Sequence, residues 1–243
     1  MIKQVLVGLM VIGLLASLVA NILLFLQGRQ YYLDLNQTRL DPLGLNYFAG
    51  EPTPNGTQAV AVFLGDSRAA SWPAPPVAGW QFINRGIGAQ TTAQVLGRFE
   101  AHIPPLQPQI VILQAGINDL KTIPLFPERQ AEITASTQAN LSELVERLRG
   151  VGATVILTTI FPVGEVPLQR RPFWSGEVAL AVNEVNEHLR SLAGPQVIIF
   201  DAYTILERGG QLNPAYADDE LHLNAAGYEV LNDELVRVLQ EIP

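Results

Sequence analysis

Ser67, Asn118, Asp219 and His222 are the side chains whose types could together carry acyl transfer. Ser67 lies in "VFLGDSRAAS", where an apolar run ends at Gly65 and Asp66, Ser67 and Arg68 follow at once. A serine hydroxyl is a poor nucleophile until a base takes its proton. The chain has three histidines, so the search for that base is short. His102 ends a helical pattern before two prolines and reads as a helix-end histidine near the last carbonyls. His188, in "VNEVNEHLR", sits on a charged helical stretch and reads as solvated. His222, in "YADDELHLNAAGY", lies in a loop before a helix that Asn224 can cap. Asp219 precedes it by three residues, a spacing from which a turn carboxylate can hold one imidazole tautomer and stabilise the imidazolium. Bland readings exist for both: a polar turn after a core strand for Ser67, and a surface Asp-x-x-His pair for His222.

A tetrahedral intermediate also needs fixed donors for its oxyanion. Asn118, in "LQAGINDL", ends an apolar run, and its amide NH₂ is a suitable neutral donor; Gly, Asn and Asp are also common turn residues. The glycine-rich "NRGIGAQTT", 84–92, could donate through backbone N–H groups at a helix start.

These residues need a scaffold. Continuous apolar, β-rich runs occur at "AVAVFL" from 59, "QFIN" from 81, "QIVILQ" from 109, "TVILTTIF" from 154 and "QVIIFD" from 196. Helical patterns fall between and after them, at 90–103, 127–149, 176–193 and 224–241. In the second, Ile133, Leu141, Leu144, Val145 and Leu148 recur at helical spacing. Unbroken apolar strands alternating with helices mean strands covered on both faces, a parallel sheet with helices on each side. Such folds build ligand sites at the carboxyl ends of the strands, where Ser67 falls.

Taken in order, the blocks are specific. G-D-S at 65–67, the glycine turn at 84–92, G-x-N-D at 116–119 and D-x-x-H at 219–222 resemble those of the SGNH hydrolases, also called the GDSL esterase/lipase family. The likeness covers roughly residues 59–241. It implies an α/β fold, a three-layer α/β/α sandwich with a central parallel sheet of flavodoxin-like type. It also implies Ser67 as nucleophile, His222 as general base and then acid, and Asp219 as orienting carboxylate. The oxyanion hole would comprise the Ser67 N–H, a backbone N–H of the glycine turn and the Asn118 side chain. The family's second block commonly reads G-G-D-T or S-G-D-T. "GIGAQTT" puts Ala89 at its middle glycine and Gln90 where aspartate is usual. Ala89 is assigned the donor, with Gly88 in a shifted turn as the alternative; a left-handed Ala89 would cost about 1–2 kcal/mol. Asp66 is expected to hold the turn.

Arg68 and Trp174 are the candidate substrate-binding side chains. Solvent is the other reading for Arg68, and a similar question attaches to Asn84 and Arg85. Trp174 lies in the loop 161–176, which also carries Arg170, Arg171 and Phe173; it reads as a substrate-lining flap or as a surface excursion anchored by an aromatic.

Val5 to Leu26 is an uncharged run of 22 residues. A helix of about 20 residues crosses the hydrocarbon core. The run exceeds the roughly 7–15 apolar residues of a cleaved signal peptide, the competing reading. The expected organisation is a transmembrane anchor at 1–27, a linker or stalk at 28–57 packed through Tyr47 and Phe48, and the hydrolase domain at 58–243. Lys3 before the span and Arg29 after it lean slightly to the N-terminus inside, which puts the domain outside the cytoplasmic membrane. The chain has no cysteine, which excludes disulfides and thiolate metal sites. Its formal charge of −8 disfavours nucleic acid as a partner. No metal-ligand cluster and no phosphate-loop pattern occurs, so neither a metal nor a cofactor is expected. N-x-S/T triplets at Asn36, Asn55 and Asn140 carry no weight. The reading is a membrane-anchored serine esterase acting on a small-molecule, lipid or glycan ester. Acyl transfer to an envelope glycan and a non-catalytic envelope-binding module are the alternatives.

Overall fold

The computed structural model describes residues 2–51, 54, 56 and 58–242. Asn55, and with it one of the three N-x-S/T triplets, lies outside them. The chain divides into two units, Met1–Asn46 and Tyr47–Pro243.

The first unit is built on one helix, α1 (Ile2–Leu40), with no buried residue. It is long and apolar enough to cross a membrane. The helix does not stop at residue 27. It runs on to Leu40 through polar sequence because side chains there bond one turn away: Gln30 to Asp34, Asn36 to the Tyr32 carbonyl and Thr38 to the Asp34 carbonyl. Residues 28–40 are thus helical rather than irregular, and turns follow from 41 to 50.

The second unit opens on Phe48, whose ring meets the Arg85 guanidinium at 4.4 Å and the His102 ring at 5.2 Å; Tyr47 touches Phe48 but stays exposed. In chain order it then contains β1 (Ala59–Gly65), α2 (Ser67–Ala70), β2 (Trp80–Gly86), α3 (Thr92–Gly97), α4 (Phe99–His102), β3 (Ile110–Gln114) and α5 (Ile117–Leu120). There follow α6 (Gln130–Gly150), β4 (Thr154–Thr158), α7 (Glu177–Ser191), β5 (Val197–Phe200), α8 (Ala202–Leu206), the short pair β6 (Glu207–Arg208) and β7 (Gln211–Leu212), and α9 (Ala225–Glu241).

Strands β1 to β5 form one parallel sheet in the order β2-β1-β3-β4-β5. The apolar residues of β1 feed two cores alternately. Val60, Val62 and Leu64 pack with Val95, Leu141, Leu144, Leu148, Val182 and Val185 from the helices α3, α6 and α7. Ala61 and Phe63 pack on the other face with Trp72, Leu206, Tyr228, Leu231 and Leu235. That two-sided burial is why the strand sequences show no polar alternation. All five expected strands are present, and the sandwich has three layers. The pattern at 90–103 is two helices, not one: the backbone breaks at Arg98 (φ −99°, ψ 4°). Chain order reverses direction between β1 and β3, and a doubly wound sheet opens a crevice at that switch point. Ser67 follows β1 and Asn118 follows β3.

Candidate active site

Gly65 sets the end of β1. Its φ is +154°, and a Cβ there would lie 1.6 Å from the Gln114 carbonyl oxygen on β3. Only a glycine lets the two strand ends pass this closely. The Asp66 amide then donates to that carbonyl at 3.2 Å, and the Asp66 carboxylate caps α2 by accepting from the Arg68 amide at 2.9 Å. Ser67 is left half-buried at the head of α2. Burial raises the Asp66 carboxyl to about 6, against the pull of Arg68.

His222 meets Ser67 from the far end of the chain. Its Nε2 lies 3.0 Å from Ser67 Oγ. Its Nδ1 lies 2.8 Å from Asp219 Oδ2 and 3.0 Å from Oδ1. Asp219 Oδ1 also accepts from the backbone amides of Leu221 (2.7 Å) and His222 (2.8 Å). Burial raises the Asp219 carboxyl, but the bonds from the His222 ring and these two amides outweigh it and hold it below the ordinary value. Asn224 fastens the turn: it caps α9 through the Gly227 amide at 3.1 Å, and its amide donates to the Ala215 carbonyl at 2.9 Å.

After β3, the strand beside β1, Asn118 is buried, and its Nδ2 donates to the Gln90 carbonyl at 3.0 Å. That bond uses one of its two amide protons. Gly88 adjoins the nucleophile, since a Cβ there would lie 3.9 Å from Ser67 Cβ. Ala89 takes φ +62°, the left-handed conformation that favours glycine. Ala89→Gly should therefore relieve about 1–2 kcal/mol of strain, less the roughly 0.4–1 kcal/mol that glycine adds to unfolded-chain entropy. The expected result is a calorimetric melting point raised by a few degrees (roughly 2–4 °C per kcal/mol at this size). A lowered melting point would contradict it.

Several side chains sit elsewhere than expected. Arg68 is corrected: it is 0 % exposed, with Nε on the Leu221 carbonyl at 2.8 Å, Nη1 on the Phe161 carbonyl at 3.3 Å and its guanidinium 5.1 Å from the Phe161 ring. A side chain sealed beneath the His222 turn cannot reach substrate; it braces that turn. Trp174 is partly buried against the core and lines a cavity of about 240 Å³ with Val163, Glu165, Arg171, Gly210 and Gln211. Ser67 and His222 are not among the residues lining that cavity. Asn84 holds the carbonyl of Ala69 at 2.8 Å, and Arg85 is buried against Phe48 and pairs with Glu51. His102 is buried, with Nδ1 accepting from Arg98 Nη1 at 3.2 Å, and His188 lies 2.8 Å from Ser142 Oγ.

The sequence reading gave no role to three residues that shape the site. Asp119 accepts from the Thr92 amide at 2.9 Å and the Thr92 hydroxyl at 2.7 Å, tying the start of α3 to α5; burial raises its carboxyl against these bonds. Its only signal was its place beside Asn118. Arg98 is fully buried and donates to Gln90 Oε1 at 2.6 Å and to the carbonyls of Gly65 and Arg85 at 3.0 and 2.8 Å. It gathers the glycine turn onto the ends of β1 and β2. Glu220 is 2 % exposed and pairs with Arg170.

Among the described residues no group of three or more His, Cys, Asp or Glu could hold a metal ion. What remains is a serine, a histidine and an aspartate in bonded series at the carboxyl ends of a parallel sheet, with the Asn118 amide after the neighbouring strand. The sequence profile of the GDSL-like Lipase/Acylhydrolase family matches residues 49–230. The chain belongs to that family, and it is an ester hydrolase of the esterase and lipase class. Solved structures share the fold. A GDSL-like lipase from Bacteroides thetaiotaomicron is 22 % identical with a TM-score of 0.65, over 83 % of this chain and 99 % of that one. An acetyl xylan esterase is 16 % identical (TM-score 0.60, over 74 % and 99 %). A member of the lipolytic G-D-S-L family from Veillonella parvula is 19 % identical (TM-score 0.57, over 76 % and 100 %). No curated protein sequence matches the chain.

Proposed function

We propose that this hydrolase is a membrane-anchored serine esterase that works through an acyl-enzyme on Ser67. The observation that carries the reading is the bonded series Asp219–His222–Ser67, 2.8 Å and 3.0 Å between its members. His222 Nε2 takes the proton of Ser67 Oγ as that oxygen bonds to the ester carbonyl carbon. Negative charge collects on the former carbonyl oxygen. The Ser67 and Ala89 amides and the second Asn118 amide proton are the donors assigned to it. The C–O bond to the alcohol then breaks, and the departing oxygen takes the proton from Nε2. Water, deprotonated by the same nitrogen, attacks the acyl group. Its collapse frees Ser67, which regains the proton, and the carboxylic acid leaves. Asp219 stays ionised throughout and holds the proton of the neutral ring on Nδ1, leaving Nε2 free to accept. Its lowered carboxyl supports this assignment.

A fluorophosphonate probe should label the purified protein, and peptide mass spectrometry should find the adduct on Ser67. An adduct on another residue would overturn the assignment.

The anchor, residues 1–27, is part of the proposal, with residues 28–57 as the stalk and 58–243 as the hydrolase domain. The uncharged run within α1 and Lys3 ahead of that run, weighed against Arg29 behind it, support an N-terminus inside and a domain outside the cytoplasmic membrane. Protease added to spheroplasts should then digest the domain. A domain left intact until the cells are lysed would place it inside.

A further inference from the structure

The segment that leaves β4 returns past the turn carrying Asp219 and His222, and it is fastened there at three levels. At the backbone, the Gly164 amide donates to the Glu220 carbonyl at 2.9 Å. A Cβ on Gly164 would lie 3.3 Å from Glu220 Cα and 3.4 Å from the Asp219 carbonyl oxygen, so the two chains run in close contact. Beneath them, Arg68 holds the Phe161 carbonyl and the Leu221 carbonyl with one guanidinium. Above, Arg170 pairs with Glu220, whose side chain is 1 % exposed while that of Arg170 is 55 % exposed.

Glu220 lies between Asp219 and Leu221. Asp219 Oδ1 accepts from the Leu221 and His222 amides, so the two peptide units that follow Glu220 hold the carboxylate that bonds the imidazole. A buried carboxylate is costly unless it is paired, and removing its partner leaves a charge that must find water. Arg170 is the one cation in ion pair with Glu220 among the described residues; Lys121 is within electrostatic reach of Glu220 but not paired with it. Without Arg170, Glu220 would be drawn outward, and the turn that aims His222 would move with it.

We propose that Arg170 is a positioning residue for His222: its pair with Glu220 clasps the segment 161–170 to the Asp219–His222 turn. The inference rests on the roles proposed above for Ser67, His222 and Asp219. It gives the loop after β4 a part in setting the geometry of the general base, in addition to forming a wall of the fold.

Kinetics of the full chain on p-nitrophenyl acetate test it, with thermal unfolding as the check on folding. Arg170→Ala should lower kcat about tenfold and leave KM within about twofold, as expected when a catalytic group is displaced and binding is not. Arg170→Lys keeps the charge and should recover most of the loss. Adding Glu220→Gln to Arg170→Ala removes the orphaned charge, so the double variant should be no slower than Arg170→Ala alone. Parent-like kcat in Arg170→Ala, an effect confined to KM, or losses that add in the double variant would each overturn the clasp. If Arg170→Ala fails to fold, Arg170→Gln against Arg170→Lys makes the same comparison, and equal kcat in those two would overturn it. A failed clasp leaves Ser67→Ala inactive, whereas turnover surviving in Ser67→Ala would sink the nucleophile assignment itself.

Discussion

Ser67→Ala should lower kcat on p-nitrophenyl acetate by about 10⁴–10⁶, with KM little changed and the fold intact by circular dichroism. The side chain is small and half-buried, so its loss opens no cavity in either core. The oxygen removed is the one 3.0 Å from His222 Nε2 and the atom that would form the ester intermediate. Without it His222 has nothing on the enzyme to deprotonate, and only a bound water remains as attacking group. His222→Ala should cost about as much, because an unactivated serine is nearly as useless as an absent one. The two should not add: the double variant should retain the residual rate of either single one, since nucleophile and base act as one unit. A Ser67→Ala enzyme within tenfold of the parent would remove the acyl-enzyme from the mechanism.

The strands were legible because both faces of the sheet are covered. Burial on two sides makes β1 read "AVAVFLG", with no polar interval to confuse it with a surface strand. Helices α6, α7 and α9 were legible through one-sided burial: Val178, Val182, Val185 and Leu189 of α7 recur at helical spacing. The break at Arg98 was not, because it belongs to a side chain drawn to the carbonyls of Gly65 and Arg85 on other elements. Nor was the length of α1, whose polar half continues on local side-chain bonds that leave no apolar period.

The site divides in a similar way. Asp219 and His222 were legible because three residues of one turn bring them together, and the turn's own amides lock the carboxylate. Arg68 was misread because its neighbours in sequence suggest a mouth, while its bonds run to a carbonyl 153 residues away. Glu220 carries no motif signal in the sequence, where it stands beside Asp218 and Asp219. It is buried and pairs with Arg170, 50 residues earlier in a loop of no regular pattern. Chemistry that needs a short motif is printed in the sequence. The bonds that fasten the motif to its neighbours are assembled between distant segments and become visible only in three dimensions.

Asp219→Asn is expected to lower kcat by about 10⁴, the scale seen where the wrong imidazole tautomer is imposed. Two backbone N–H groups, from Leu221 and His222, point at Asp219 Oδ1. An asparagine must keep its carbonyl oxygen there, because an amide NH₂ in that place would face two donors. Its NH₂ then takes the place of Oδ2, 2.8 Å from His222 Nδ1. With Oδ1 already accepting from two amides and lying farther from Nδ1 (3.0 Å), a donor at the nearer point favours an accepting Nδ1, so the ring proton moves to Nε2 and faces Ser67 Oγ. The imidazole can no longer take the serine proton, though every heavy atom is near its parent position. Asp219→Ala forces no tautomer, and a ring free to turn its Nε2 lone pair to Ser67 should keep more activity than the asparagine variant. Asparagine, the closer replacement in shape, should thus be the worse enzyme, and steady-state kcat of the two variants decides it. An Asp219→Asn enzyme at or above the activity of Asp219→Ala would mean that the carboxylate acts through charge alone and that the tautomer is set elsewhere.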